Sequence, residues 1–350
     1  TLLFPDAAGP SMAMTCGALM IVTGRDAPII ARLRAAGGVI LGKTNLSEWA
    51  NIRSDSSISG WSAIGGQTRN PFALSRNPCG SSSGSGAAVG AGMVDAAIGT
   101  ETDGSITCPA AVNGIVGLKP SVGLVSRTHI VPISHSQDTP GPMTRNVRTA
   151  ALLLTAMAGR DPADPATREA DDRKMDYTAA LRPGALKGAR IGVLRWATGW
   201  HTGLDARFEA ALAVLRQQGA VLVDVKSAPD RRQISAHENK VLMTELKADL
   251  NAYLATTAPA VRTRSLADVI AFNRANAAQE MALFGQETFE KAQATQGVDD
   301  TDYLKARDAG QRLAGPEGID RMLAESGTIA LIAPTAPPAW FIDPVNADQA

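Results

Sequence analysis

The stretch 80–109 is written mostly in Gly, Ser, Ala and Thr, and no other part of the chain restricts the fold so strongly. Gly80-Ser-Ser-Ser-Gly-Ser-Gly taken alone reads as a flexible linker. It opens directly into Ala87-Ala-Val-Gly-Ala-Gly-Met-Val and then into Ala96-Ala-Ile-Gly-Thr-Glu-Thr-Asp-Gly-Ser. Side chains this small let backbones approach closely, so the stretch belongs in a packed core. A Gly-rich loop before a helix can also cradle phosphate, because its free N–H groups and the helix dipole favour an anion. The lysine of G-x-x-x-x-G-K-[ST] is missing here, which argues against a nucleotide site.

On either side, helix and strand signals alternate. Residues 26–37 offer Asp26 as N-cap, Pro28 in the first turn, apolar Ile29, Ile30 and Leu33, and a closing Gly37, which predicts a helix. Val39-Ile-Leu follows as a short buried strand. Residues 61–77, with Gly65-Gly66 and Asn70-Pro71, predict a long loop. An apolar helix is expected at 149–159 and a charged surface excursion at 160–182. Strands at 191–194 and 221–225, flanking an amphipathic helix at 205–218, are expected to extend the same sheet. Residues 237–326 are mainly helical by pattern, and 328–334 returns as a buried strand. The expectation is one α/β domain over residues 1–350 with a helical elaboration at 237–326.

Composition narrows the partners. With 45% apolar and 19% charged residues, the 350-residue chain can bury a large core. Lys+Arg and Asp+Glu number 34 each, so no net field draws it to nucleic acid or to an anionic membrane. The expected partner is a small molecule or short peptide. Cys16, Cys79 and Cys108 lie far apart with no C-x-x-C pair, which predicts small buried thiols rather than a disulfide or zinc site. No apolar run reaches the roughly 18 residues that cross a bilayer, and no leader pattern opens the chain, so the compartment stays open.

Two readings of the Ser-rich segment involve a nucleophile. Gly80-Ser-Ser-Ser-Gly fits G-x-S-x-G with Ser82 at its centre, the elbow of an α/β-hydrolase-type esterase. That elbow requires a strand before Gly80, where the text is turn-rich, and a downstream acid and histidine, for which Asp138, His201 and His237 are candidates. The second reading rests on more text. Cys79-Gly-Ser-Ser-Ser-Gly-Ser-Gly followed by Gly99-Thr-Glu-Thr-Asp-Gly-Ser-Ile resembles the two-part signature of the amidase-signature family. Leu41-Gly-Lys-Thr-Asn-Leu-Ser-Glu-Trp, Gly66-Gln-Thr-Arg-Asn-Pro, Gly114-Ile-Val-Gly-Leu-Lys-Pro and Ser136-Gln-Asp-Thr-Pro-Gly-Pro resemble further family segments in order. The branch it resembles most is that of bacterial peptide amidases, supported by Leu283-Phe-Gly-Gln-Glu and Leu313-Ala-Gly-Pro-Glu-Gly-Ile.

The resemblance implies a large twisted mixed β-sheet covered on both faces by helices, and hydrolysis of a carboxamide without a cofactor or metal. Ser105 matches the nucleophile and Ser81 the bridging serine, 24 positions apart. In the family that bridging serine follows a cis peptide bond. Thr102, Asp103 and Gly104 match the positions whose N–H groups form the oxyanion hole. Gly80, Ser82, Trp61 and Gln67 are expected to contact substrate. A serine hydroxyl needs a neighbour to take its proton, and an anionic intermediate needs donors aimed at its oxygen, so each role has a physical reason. No nucleic acid or membrane is expected as partner, and the assembly is expected to be a monomer or homodimer.

One position departs from the pattern. The family's third catalytic group is a lysine just before the text that begins here at Met12; aligning backwards places that position at Phe4 or a near neighbour. Lys43 and Lys119 are the only lysines in the first 150 residues, and both match other family positions. The chain is accordingly expected to lack N- and C-terminal parts of the family domain, to be a catalytically silent binding relative, or to use another group in the lysine's place. Among lesser signals, His129 and His135 read as structural or solvated. Trp49, Trp61 and Phe72 read as core or pocket aromatics. Asp138 and Arg145 read as surface charges or as an ion pair orienting the signature loop.

Overall fold

Small residues at crossing points set the architecture. In the computed structural model, which describes residues 26–348 and the backbone of residues 2–5, helix α2 (Ser83–Gly90) runs beside strands β1 (Leu2–Pro5), β2 (Ile40–Thr44) and β5 (Ala96–Glu101). A Cβ at Gly84 would lie 2.6 Å from the Asn45 carbonyl oxygen, and one at Gly99 would lie 2.8 Å from Ser82 Oγ. Glycine is therefore required where this helix crosses the sheet. Its buried face is Ser83, Ser85, Ala88 and Val89 with Gly84 and Gly86.

Contacts divide the chain into two units, Thr1–Thr178 with Met243–Thr295 and Ala339–Ala350, and Ala179–Leu242 with Gln296–Pro338. The first holds a five-stranded mixed sheet in the order β2-β1-β5-β7-β6, where β6 is Val116–Gly117 and β7 Thr139–Thr144. Strand β1 is parallel to both neighbours, and β5 pairs antiparallel with β7 from Ala96↔Thr144 to Glu101↔Thr139. The Thr139–Thr144 strand carries Pro140, Gly141 and Pro142, residues that disfavour a central strand, yet all six residues are buried. A small hairpin of β3 (Trp61–Ser62) and β4 (Gly66–Gln67) punctuates the loop expected at 61–77.

Helix α1 (Pro28–Ala35) and helix α4 (Val147–Met157) pack on this sheet, and Ile29, Leu33, Ile98, Leu153, Leu154 and Met157 form its main apolar cluster. Arg32 donates to the carbonyls of Met157 and Gly159 at 2.8 Å each, satisfying acceptors that the end of α4 leaves open. The N-cap of α1 is Ala27 rather than Asp26, whose carboxylate pairs with Arg34 Nε at 2.8 Å. The strand expected at 39–41 starts at Ile40 and runs to Thr44. Among the described residues it is an edge strand, and its burial alternates because successive side chains point to opposite faces, with Leu41 on the exposed one.

Further helices of this unit include Met243–Ala255, which is the second part of α6 (Arg231–Ala255), with α7 (Leu266–Ala275) and α8 (Glu287–Gln293). Beneath them lies a fully buried ion pair, Arg53 with Glu48 at 2.8 Å. Arg53 also donates to the carbonyls of Phe284 and Gly285 and stacks over the Phe284 ring.

The second unit holds a parallel sheet of β8 (Arg190–Leu194), β9 (Val221–Val225) and β10 (Ala330–Ile332), in the order β10-β8-β9. The sequence led to the expectation that these strands extend the first sheet and that the last is buried; they instead pair among themselves, and β10 is partly exposed. Helix α5 (Thr202–Gln217) ends at Gly219, whose φ of +89° suits glycine. Helix α9 (Thr301–Ala314) packs Tyr303 and Ala306 on Val241. Helix α10 (Asp320–Ser326) precedes β10.

Two of the three cysteines correct the expectation of separate thiols. Cys79 and Cys108 form a disulfide with a Cα–Cα separation of 6.0 Å. The turn after β5 brings helix α3 (Thr107–Val112) back beside the loop that precedes Gly80, so residues 29 apart in sequence become neighbours. Cys16 lies outside the described residues.

Candidate active site

Two chain segments meet at one cleft. The first enters α2 through Cys79, Gly80 and Ser81, with a cis peptide between Gly80 and Ser81. Ser47 N and Ser83 N both donate to the Ser81 carbonyl, at 3.0 and 2.8 Å. The second is the turn between β5 and α3 that carries Ser105. They are stitched by Ser82 N donating to the Ser105 carbonyl at 3.1 Å and by the Cys79–Cys108 disulfide. Ser81, Thr102 and Ser105 all line the cleft. Ser81 is buried, and its Oγ has no hydrogen-bond partner among the described residues.

The turn at 102–106 is held by side chains from its two ends. The Glu101 carboxylate accepts from Ile106 N at 2.7 Å and Thr107 N at 2.9 Å, occupying donors at the start of α3. Gly104 has φ +76°, a left-handed conformation that glycine adopts freely. The backbone N–H groups of Thr102, Asp103 and Gly104 have no protein acceptor among the described residues. These three uncommitted donors stand immediately before Ser105, at the positions expected to form an oxyanion hole. Thr102 is fixed through its side chain, Oγ1 donating to Asp138 Oδ1 at 2.6 Å, and through its carbonyl, which accepts from Lys119 Nζ at 2.5 Å.

The opposite wall is the segment 127–140, which supplies Arg127, Ile130, Val131, Ile133, Asp138, Thr139 and Pro140. Asp138 Oδ2 accepts from Ile133 N at 2.8 Å and Ser134 N at 2.9 Å. Burial raises this carboxyl above its ordinary range, against the pull of its three hydrogen bonds. Arg127 forks onto Asp164. His135 Nδ1 lies 2.9 Å from Asp249 Oδ2, and its Nε2 lies 3.4 Å from Glu245 Oε1. The hydrogen bond to Asp249 holds the imidazole above its ordinary pKa. Ser136 N and Oγ both donate to Glu245 Oε2, at 3.1 and 2.9 Å. The segment is thus fastened to α6. Ala50 completes the lining from a turn in which Trp49, Ala50 and Asn51 all have positive φ, at 47°, 53° and 69°.

The four residues expected to touch substrate are absent from this lining. Ser82 Oγ donates to the Thr100 carbonyl and accepts from Thr100 N, both at 3.1 Å, so its hydroxyl is spent on β5. Gly80 is pressed against Ser47 and Ser59, and a Cβ there would lie 2.4 Å from Ser47 Oγ. Trp61 packs edge-on against Phe284 at 5.2 Å. Gln67 Nε2 donates to the carbonyls of Ser59 and Thr68. Each braces the loop behind the serines. The sequence offered Asp138 as the acid of an esterase elbow, as a surface charge or as an ion-pair partner of the signature loop, whereas its partner on that loop is the neutral Thr102 hydroxyl. Arg145 instead pairs with Asp95. His201 caps α5, accepting from Leu204 N at 3.1 Å. Trp49 packs on Phe289, and Phe72 is exposed. Ile130, Val131 and Ile133 were missed: a Pro-interrupted apolar run carries no motif, and only the tertiary fold sets it opposite Ser105. The side chain of Phe4 lies outside the described residues.

The chain is similar over most of its length to known proteins. The sequence profile of the family described as Amidase matches residues 11–345. The native peptide amidase from Stenotrophomonas maltophilia is 51% identical and superposes with a TM-score of 0.89, over 97% of this chain and 70% of that one. The peptide amidase PAM in complex with the competitive inhibitor chymostatin is also 51% identical, with a TM-score of 0.92 over 99% of this chain and 72% of that one. A probable amidase of Arabidopsis thaliana is 42% identical over 320 residues, 89% of this chain. The chain spans 60% of that relative's length.

Proposed function

Because the chain belongs to the amidase-signature family, we propose that it hydrolyses a carboxamide, the C-terminal amide of a short peptide, through an acyl-enzyme on Ser105. The observation that carries this reading is the run of uncommitted N–H groups at Thr102, Asp103 and Gly104 directly before a cleft-lining serine. Ser105 Oγ adds to the amide carbon while Ser81 relays its proton onward. The carbonyl oxygen becomes anionic and is met by the backbone donors. The C–N bond then breaks, the proton returns to the leaving nitrogen, ammonia departs, and water releases the acid from Ser105. Ser81 Oγ, buried and without a partner among the described residues, suits a relay whose next member takes a proton from it. Ile130, Val131 and Ile133 suit an apolar side chain on the acyl part, and the likeness to peptide amidases supports a peptidyl one.

The test is ammonia release from a C-terminally amidated dipeptide, with Ser105→Ala as control. Release that disappears in the control supports the reading. A folded wild type that releases none, yet binds the amide, favours the second reading, a silent binding relative, which the sequence motivates through Phe4. Covalent labelling by a serine-directed phosphonate that survives Ser105→Ala but not Ser82→Ala would instead select the esterase.

A further inference from the structure

Resting on that hydrolase reading, we infer that Lys119 and Asp138 form a clamp on Thr102 that aims the Asp103 N–H at the oxyanion, making both positioning residues for the reaction. In a trans peptide the carbonyl and the following N–H lie in one plane and point in opposite directions. The Thr102–Asp103 peptide is trans, so fixing the Thr102 oxygen fixes the direction of the Asp103 hydrogen. Lys119 Nζ grips that oxygen at 2.5 Å, and Lys119 is anchored in turn near Glu101 Oε1 at 4.0 Å. Asp138 grips the other end of the same residue, taking the Thr102 hydroxyl at 2.6 Å on one carboxyl oxygen. Its second oxygen takes two backbone donors, Ile133 N and Ser134 N, of the segment that walls the cleft. The Thr102–Asp103 peptide therefore cannot rotate without breaking the bond to Lys119 in the loop that follows β6, and Thr102 itself is tied to the opposite wall. A flexible glycine at position 104 makes such external fixing necessary, because the turn's own backbone does not supply it.

The test uses the full chain with Lys119→Met and Asp138→Asn, and Lys119→Arg as the conservative rescue. For each, kcat and KM on the amidated dipeptide are measured beside two affinities. One is for a dipeptidyl trifluoromethyl ketone, which becomes an oxyanion when Ser105 adds to it; the other is for the dipeptide acid. The expected result is a fall in kcat of about 10- to 100-fold, less than deletion of an oxyanion donor gives, with KM nearly constant. Ketone affinity should fall in proportion, acid affinity should hold, and Lys119→Arg should recover most of the loss. Folded variants with wild-type kcat and ketone affinity overturn the clamp, as do variants in which KM and acid affinity worsen as much as kcat. If Asp138→Asn does not fold, Lys119→Met carries the test alone, since that side chain is partly exposed. An active wild type with indifferent variants sinks only the clamp. A wild type that neither releases ammonia nor takes the ketone sinks the hydrolase reading, and the clamp with it.

Discussion

Replacing both Cys79 and Cys108 by Ala should lower stability by an amount that follows from their separation. A bridge closing a loop of 29 residues removes about 12 cal/mol/K of entropy from the unfolded chain, which is about 3.6 kcal/mol at 25 °C. The closed loop holds α2 and β5, so the unfolded state it restricts is that of the most tightly packed part of the protein. With a urea m-value of about 3 kcal/mol/M, the unfolding midpoint of the unit should move down by roughly 1 M. The assay is urea unfolding followed by circular dichroism, for the wild type with and without reductant and for the double variant. Reductant should bring the wild type to the variant's midpoint and leave the variant unmoved. The bridge also fastens the residue before Gly80-Ser81 to the helix that follows Ser105, so phosphonate labelling of Ser105 should slow on reduction before the protein unfolds. Maleimide that modifies both cysteines in denatured, unreduced protein would refute the bridge. A double variant within about 0.5 kcal/mol of wild type would refute the entropy reasoning.

Ser82→Ala strands a part-buried N–H and carbonyl of Thr100 and should cost about 1–3 kcal/mol, whereas Ser105→Ala should melt near wild type and lose labelling. Calorimetry beside labelling checks it, and the reverse pattern would return Ser82 to the nucleophile's role. Arg53→Met leaves Glu48 and the Glu280 carboxyl, which has no hydrogen-bond partner among the described residues, buried without their cation, and should cost about 3–5 kcal/mol in urea unfolding. Burial already pushes Glu48 up to about 8; removing Arg53 raises it further, so the variant's deficit should widen as pH rises and the carboxyl must ionise. A pH-independent deficit would contradict that assignment. His135 faces Asp249 and Glu245 from α6 and Arg127 on its own segment, and its pKa is held above 6.5. Because the folded state binds this proton more tightly, its stabilisation is full below pH 6.5 and fades as pH rises through the raised value. The melting difference between wild type and His135→Gln should therefore be largest in mild acid and shrink towards alkaline pH; a difference that grows with pH would reverse the sign.

The serine-bearing segments were legible because close backbone packing leaves a direct trace: Gly84 and Gly99 have no room for a side chain. Helix α1 was readable from its apolar spacing and Pro28, although the cap was misplaced by one residue because Asp26 is taken by Arg34. Strand β7 was not legible, since Pro140, Gly141 and Pro142 argue against a strand and only burial between β5 and β6 overrides them. The disulfide was hidden for a related reason. Its spacing fits no local motif, and the pairing depends on a turn that returns α3 to Cys79. The tether from Ser134 and His135 to Glu245 and Asp249 joins residues more than 100 positions apart, a proximity that periodicity cannot encode. Gly80, Trp61 and Gln67 lie close in sequence to the signature, yet behind the serines, so nearness in the text overstated their access to the cleft.

The turn at Trp49, Ala50 and Asn51 divides the evolvable surface of this cleft unequally. A left-handed backbone at Ala50 admits glycine or asparagine with little penalty and resists valine, isoleucine or threonine, whose branched Cβ crowds the preceding carbonyl. That side of the cleft can change depth only within a short alphabet. Ile130, Val131 and Ile133 carry no such restriction, as none has a positive φ. Selection for a new acyl group, natural or in the laboratory, would find its variation on that wall, with the turn at Ala50 serving as the fixed jaw against which the other is reshaped.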